Sequence, residues 1–124
     1  MTAEEIRIGN FVYHNVDECN CEMTFELLKQ TFNANDFNEY SPIILTEDWL
    51  KRAGFIDAKF RFGNAEELEL DFDGDHYNIF YNQKNNDNTS EKILMYKELY
   101  YVHELQNLYY ALTGSELSVF YRHL

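Results

Sequence analysis

The feature that most constrains the fold is a strict alternation of apolar and acidic residues from position 67 to position 73. The apolar members are Leu68, Leu70 and Phe72. Successive side chains of a strand point to opposite faces, so this period of two predicts a strand with one apolar and one acidic face. Asp73-Gly74 follows, a dipeptide favoured in two-residue type I′ hairpin loops. Such a loop predicts an antiparallel hairpin with Leu70 opposite Tyr77 and Leu68 opposite Ile79.

Two segments carry helix signals. Residues 46–54, TEDWLKRAG, begin with a threonine suited to an N-cap, continue with two acids and end in glycine, which predicts a short helix. Near the C-terminus, apolar residues recur at helical spacing before Thr113-Gly114, which predicts a longer helix. These apolar residues, expected in the core, are Tyr101, Leu105, Leu108 and Leu112.

Further strands are predicted from β-branched and aromatic residues at 6–13, 92–96 and 116–121, and from the alternation that begins at residue 58. The polar, asparagine-rich residues 82–91 are expected to form a loop. Residues 23–32 fit neither period cleanly; we favour a strand there, with a short helix as the open alternative. We also expect His76 to pair with Asp71 across the hairpin.

The chain has 124 residues, which is the size of one domain because two would each have difficulty assembling a core. We therefore predict a single globular domain over residues 1–124. The predicted elements indicate the α+β class: one antiparallel sheet of about five to six short strands, with one short and one longer helix packed on one face.

The charge of the chain restricts its partners. There are 22 acidic and 10 basic residues, a formal net charge of −12. Repulsion from phosphates argues against direct binding to DNA or to anionic membranes, and attraction favours a basic protein. The acids are densest in a group that we call the acidic row, whose members we predict to bind such a partner: Glu67, Glu69, Asp71, Asp73 and Asp75. The simpler interpretation is the solvated face of an edge hairpin.

Aromatic residues give a second candidate contact surface. The helical period of the C-terminal segment turns Tyr100, His103 and Tyr110 away from the apolar face. Tyrosine offers a large contact area and a polar tip, so Tyr100 and Tyr110 are predicted to bind a partner.

No motif indicates an enzyme, a cofactor or a metal site. Cys19 and Cys21 are one residue apart, too close for an unstrained disulfide, and we expect both to be reduced. With His14 they offer three soft ligands, one fewer than a tetrahedral zinc site needs. An EF-hand read from Glu69 has Phe80 where glutamate is required, and the zincin-like start at His103 has Asn107 where the second histidine belongs. We predict that the protein is not an enzyme.

Three blocks of the sequence resemble a family of small proteins encoded by prophages. They begin at Ile6 (IRIGNFV), Pro42 (PIILTEDWLKRAGF) and Tyr101 (YVHELQNLYYALTGSEL), and the last is the most specific. The chain is also similar to phage anti-CRISPR proteins that act on RNA-guided, RNA-cleaving effectors of the Cas13b type. The resemblance covers about a third of the chain and carries no catalytic residues.

The resemblance and the charge together imply an inhibitor that binds a CRISPR effector and obstructs productive binding of guide or target RNA through an acidic surface. The alternative is a prophage accessory interaction module without a defence role or catalytic activity. No segment has the basic start and apolar stretch of a signal peptide or about 18 consecutive apolar residues, so we expect a cytoplasmic protein of the host bacterium. The partner's identity, the binding face and the oligomeric state stay open.

Overall fold

The computed structural model describes residues 1–2, 4–61, 66–85, 87 and 89–119. It confirms the α+β class, with two antiparallel sheets of three and four strands and three α-helices in the described chain. The strands thus form two sheets rather than the single sheet we expected. Contacts divide the chain into two compact units, here called the first unit (Met1–Ile44 with Tyr101–Leu117) and the second unit, most of which is Leu45–Tyr100. The single domain over residues 1–124 stays a prediction.

The elements follow one another along the chain with short connections. The strands are β1 (Phe11–His14), β2 (Cys19–Glu22), β3 (Tyr40–Ser41), β4 (Lys59–Arg61), β5 (Glu66–Phe72), β6 (Tyr77–Lys84) and β7 (Ser90–Leu99). The helices are α1 (Phe25–Ala34), α2 (Glu47–Arg52) and α3 (Val102–Thr113), with a 3₁₀ turn at Phe37–Glu39. The first unit holds the sheet β2-β1-β3, and the second holds β4-β5-β6-β7.

Helix α1 corrects our preference for a strand at residues 23–32. The Thr24 hydroxyl accepts a hydrogen bond from the backbone N–H of Leu27 at 3.2 Å, which caps the first turn. Asn35 ends the helix in the left-handed region, with φ of 55°. Leu27 and Leu28 pack against a core made by Ile6, Val12, Met23, Phe37 and Tyr40. The two caps and the packing of Leu27 and Leu28 favour a helix here, although the local hydrophobic period is weak.

Helix α3 is joined to the loop before β1 by buried amide groups. The Gln106 side chain accepts from the N–H of Phe11 at 2.9 Å and donates to the carbonyl of Gly9 at 2.8 Å. Asn10, which is fully buried, donates to Asn107 Oδ1 at 2.9 Å. These bonds satisfy backbone groups of a segment that we expected to be strand from residue 6, and β1 begins only at Phe11.

One face of the sheet in the second unit is buried, and the other face is exposed and carries charged side chains. Leu68 and Ile79 are fully buried and Leu70 nearly so. Helix α2 lies in this unit and begins as predicted, because Thr46 Oγ1 accepts from the N–H of Trp49 at 3.4 Å. Trp49 and Leu50 of that helix are buried. The prediction that the apolar-acidic alternation forms a half-buried strand is therefore confirmed.

The hairpin register differs from the prediction by two residues. Leu70 pairs with Ile79 and Phe72 with Tyr77, so a four-residue connection replaces the two-residue turn. Asp73 donates to the carbonyl of His76 at 2.8 Å, which closes the longer loop. Direct pairing of Phe72 with Tyr77 brings the two rings to 5.1 Å, and such aromatic cross-strand pairs stabilise a sheet.

Other boundaries also move. Residues 82–84 and 90–91, expected to be loop, extend β6 and β7, and β7 runs for ten residues to Leu99 instead of ending at Tyr96. Backbone pairing overrides the low strand propensity of polar residues such as Asn82 at these positions. Residues 116–119 are not strand, although Leu117 is buried, and the rest of the predicted closing strand lies outside the described residues.

Candidate functional site

The first three members of the acidic row share one face of β5, as predicted, but this face also carries bases from the neighbouring strands. Glu67 pairs with Arg61 of β4, with Nε and Oε2 separated by 3.8 Å. Asp71 is 3.7 Å from the Lys92 ammonium of β7. These members of the acidic row are therefore part of a surface that carries both acidic and basic side chains.

Glu69 is the centre of that surface. The Lys92 ammonium lies 2.6 Å from its Oε2, and the Lys59 ammonium lies 3.6 Å from its Oε1. Asn82 of β6 donates to Glu69 at 3.3 Å and to Glu67 at 3.2 Å. The hydrogen bond from Lys92 lowers the pKa of Glu69 against the opposing effect of burial. Such a carboxylate already has the partners that a basic protein would supply.

The other two acids, Asp73 and Asp75, lie in the β5–β6 loop with side chains 72% and 75% exposed. His76 contacts both, at 3.6 Å from Asp73 and 2.6 Å from Asp75. The pairing of His76 with Asp71 is therefore wrong, because the longer loop places Asp71 opposite Asn78. The structure thus separates the acidic row into a paired part on β5 and an exposed loop.

The predicted aromatic surface is not a single patch. Tyr110, 44% exposed, belongs to the first unit, where its ring lies 4.5 Å from the Arg7 guanidinium. Tyr100 belongs to the second unit, is half-buried and lies 5.4 Å from the His76 ring. His103 is buried, so it cannot join a contact surface as we expected. Helical spacing alone missed the packing at the start of α3.

The excess of acid is concentrated in the first unit. Its two segments hold ten acidic and two basic residues, a net charge of −8, whereas Leu45–Tyr100 holds twelve acidic and seven basic residues. Several of these acids are exposed around the β1–β2 turn and the start of α1: Asp17, Glu18, Glu22 and Glu26. We call these four residues the acidic patch. The dense run of acids in the sequence pointed to β5 instead, because the sequence does not show which bases of other strands lie beside those acids.

A pocket of about 350 Å³ in the first unit gathers a histidine, carboxylates and both cysteines. His14 Nδ1 is 3.0 Å from Asp17, and its Nε2 is 3.5 Å from Glu39. Cys19 and Cys21 are free thiols, and burial, with the nearby Cys19 and Asp17, raises the pKa of Cys21. A raised pKa keeps the thiol protonated and weakly nucleophilic. Among the described residues, no group of three or more such side chains is arranged to hold a metal ion.

A second pocket, of about 390 Å³, lies in the second unit and is largely apolar. Leu50, Phe55, Leu70 and Tyr77 are buried residues of its lining. Phe72, whose side chain is on the same face of β5 as Leu70, is 61% exposed and completes the wall. We call this cavity the aromatic pocket. Its volume falls within the range of roughly 300–1,000 Å³ that is usual for ligand sites.

Strand β7 is an exposed sheet edge that sequence reasoning missed. Four consecutive apolar side chains along it are between 37% and 45% exposed: Ile93, Leu94, Met95 and Tyr96. The available signal was the unbroken apolar run at 93–96, which does not alternate. Irregular pairing with β6 and the positive φ of Glu98 interrupt the ladder. Such bulges, with Lys92 and Lys97, are common protection against edge-to-edge association.

The described chain contains no helix with both the length and the hydrophobicity needed to cross a membrane. No protein-family model, curated protein or solved structure matches this chain.

Proposed function

We propose that this protein is a phage-derived inhibitor that binds an RNA-guided effector, such as a Cas13b-type RNA-cleaving nuclease, and obstructs productive binding of guide or target RNA. The observation that carries the proposal is the net charge of −8 on the first unit, with four exposed acids in the acidic patch. The resemblance of the three sequence blocks to prophage proteins supports the choice of partner.

The physical basis is competition for cations. A groove that holds RNA is lined by lysine and arginine, and it attracts any surface of opposite charge. The carboxylates of the acidic patch can pair with those bases in place of phosphates. The β5 carboxylates contribute less, because Lys59, Arg61 and Lys92 already compensate them.

A cleavage assay tests this proposal. Purified effector, guide and labelled target RNA are mixed with the wild-type protein, and we expect slower cleavage together with a complex in size-exclusion chromatography. Raising the salt concentration should weaken the inhibition, because screening reduces attraction between exposed charges. Inhibition that is absent, or that is unchanged by salt, would contradict the proposal.

Two sets of four amide substitutions locate the surface. The patch set is Asp17→Asn, Glu18→Gln, Glu22→Gln and Glu26→Gln, and the control set, on exposed acids of the second unit, is Asp71→Asn, Asp87→Asn, Glu91→Gln and Glu98→Gln. We expect the patch set to weaken binding roughly tenfold, as expected for several exposed charge pairs. The control set, with the same change in net charge, should retain most of the inhibition. Equal losses would show that only the overall charge matters.

The alternative function, a prophage accessory interaction module without a defence role, is favoured by one observation. The ion pairs of Glu67, Glu69 and Asp71 show that part of the acid excess is used within the sheet. In that case neither the wild type nor the patch set slows cleavage by the effector, and the partner is found by capture from host lysate and by loss of capture with the same variants.

A further inference from the structure

The aromatic pocket of the second unit is an open cavity on the apolar face of the sheet. Helix α2 has six residues, about 9 Å of helix, whereas the seven residues of β5 extend over about 23 Å. The apolar face of β5 is therefore longer than that helix. Phe72, at the end of the strand, is 61% exposed although it is on the face that buries Leu68 and Leu70. An exposed aromatic wall beside buried apolar residues is a typical anchor site for a partner side chain.

The lining favours an aromatic ring as the occupant. Phe55 and Tyr77 are buried, and the ring of Tyr77 lies 5.1 Å from that of Phe72. Aromatic rings at such distances gain from edge-to-face and offset contacts beyond the area they bury. The polar groups of the lining are few and lie on helix α2 and in the turn before β4: Glu47, Lys51 and Asp57.

The charges of the pocket lining favour a partner that has lysine or arginine next to the aromatic ring in the pocket. Glu47 and Lys51 are 3.7 Å apart and compensate each other. Asp57 is exposed and leaves the lining with a net negative charge. Glu47 and Tyr77 both line the pocket, and burial together with the charge of Glu47 raises the pKa of the Tyr77 hydroxyl. A cation on the partner therefore meets a negative potential here.

The turn that carries Asp57 is held in a strained backbone conformation. Asp57 and Ala58 have φ of 51° and 61°, and hydrogen bonds join Ile56 and Lys59 in both directions at 2.9 Å and 3.0 Å. Asparagine, aspartate and glycine are the residues that such a turn prefers, so the strain falls on Ala58. The strained Ala58 thus lies in the wall of the pocket, and the paired hydrogen bonds of the turn fix the shape of that wall before the partner arrives.

We infer that the aromatic pocket binds a phenylalanine-like side chain of the protein partner that is flanked by lysine or arginine. This inference deepens the proposed function and rests on it for the nature of the partner as a basic protein. The pocket then provides an apolar anchor that slows dissociation of a partner attracted by the negative charge of the protein.

Peptide titration tests the pocket without any effector. The probe is a blocked peptide, Ser-Lys-Phe-Lys-Ser, added to the full-length ¹⁵N-labelled protein at low salt. Matched peptides replace phenylalanine by serine or both lysines by glutamate. We expect amide shifts at Ala58, Leu70 and Tyr77 with the first peptide only. No shifts with any peptide, equal shifts with the glutamate peptide, or shifts confined to β7 would overturn the inference.

Variants separate the pocket from the proposed function. Asp57→Asn keeps a residue that tolerates positive φ. It should weaken binding of the lysine peptide about threefold, which is the effect expected for loss of one exposed charge pair. Phe72→Ala removes an exposed wall and should abolish the shifts, while a circular dichroism spectrum confirms the fold. The control is Asp48→Asn on α2, whose carboxylate pairs with Arg52 at 2.9 Å and does not line the pocket. It should leave peptide binding unchanged, and a loss equal to that of Asp57→Asn would overturn the inference.

The same variants are then used in the cleavage assay. If the wild type inhibits, Phe72→Ala should inhibit at least tenfold less, mainly through faster dissociation. Unchanged inhibition by Phe72→Ala would overturn the assignment of the pocket to the partner interface and leave the inhibitor proposal intact. If the wild type binds the lysine peptide and inhibits no effector, the inhibitor proposal fails and the pocket specificity stands.

Discussion

The Lys92 ammonium of β7 lies 2.6 Å from the Glu69 carboxylate of β5, across the intervening strand β6. The Glu69 side chain is 15% exposed and the Lys92 side chain is 49% exposed, so the carboxylate is shielded from solvent and the ammonium is half-exposed. The pair links β5 and β7, the outer two of three neighbouring strands. It also explains why an acidic row that is prominent in the sequence is compensated in the fold.

The first prediction concerns the pH dependence of this pair. The Lys92 hydrogen bond lowers the pKa of Glu69 in the folded state, so the pair stabilises the protein fully above the ordinary glutamate pKa. This contribution is lost as the pH falls through the lowered folded value. Urea unfolding from pH 7 to pH 3 should therefore show a smaller loss of stability for Glu69→Gln than for the wild type. Glu22→Gln, at an exposed position, serves as the control, and parallel curves for wild type and Glu69→Gln would contradict the prediction.

The second prediction concerns Gln106, which is 1% exposed and is bonded to Phe11 and Gly9 by both ends of its amide. Leucine at this position fills the space and leaves the buried N–H of Phe11 and the half-buried carbonyl of Gly9 without these partners. We expect Gln106→Leu to lower the free energy of unfolding by about 2–4 kcal/mol, since each such group costs about 1–3 kcal/mol. The measurement is urea denaturation. Gln30→Leu, on the exposed side of α1, should change stability by less than about 0.5 kcal/mol.

The third prediction concerns Ala58, whose φ of 61° places its Cβ in a conformation that favours glycine. Ala58→Gly should raise the free energy of unfolding by about 0.5–1 kcal/mol, because relief of backbone strain exceeds the added entropy of the unfolded chain. The same substitution in helix α3, Ala111→Gly, should lower it by about 1 kcal/mol. Thermal or urea unfolding of the two variants gives the comparison. A loss of stability for both would show that residue 58 is not strained.

The fourth prediction concerns His103, which is 4% exposed and whose Nδ1 has no hydrogen-bond partner in the described structure. Burial lowers its pKa, against the opposing effect of the Glu104 and Glu5 carboxylates. The folded state therefore favours the neutral ring. Stability is complete above the ordinary histidine pKa of about 6.5 and falls below it, because the unfolded chain takes up the proton first.

The measurement for His103 compares the wild type with His103→Leu in urea unfolding at pH 7.5 and pH 5.5. The wild type should lose more stability on acidification than the variant. The other histidines are present in both proteins, so their contributions cancel in the difference. Equal losses would mean that the ring takes up its proton as readily in the folded protein as in the unfolded chain.

The resemblance blocks and the folding contacts coincide in part. Residues of the first block, Gly9 and Phe11, are bonded to Gln106 of the third block, and Asn10 is bonded to Asn107. Thr46, in the second block, caps helix α2. These blocks therefore have a structural role in this chain. The acidic patch lies outside them, and of the two acids that line the aromatic pocket only Glu47 lies within the second block.

Local patterns in the sequence determined those features whose forces act between near neighbours. The alternation at 67–73 led to the strand β5, the threonine before Glu47 to the start of α2, and the apolar spacing before Gly114 to helix α3. Each depends on a period or a cap that lies within a few residues. The α+β class followed from these elements, and the net charge of −12 required only counting.

Tertiary structure alone decided which charges and apolar groups remain available. Glu69 is compensated by Lys92, which is 23 residues away, and Phe72 forms a pocket wall with Phe55 and Tyr77. The hairpin register places the rings of Phe72 and Tyr77 in contact, and His103 is buried by packing that helical spacing does not reveal. Coulomb and packing energies depend on distance in space, and the chain brings residues together in pairs that sequence separation does not indicate.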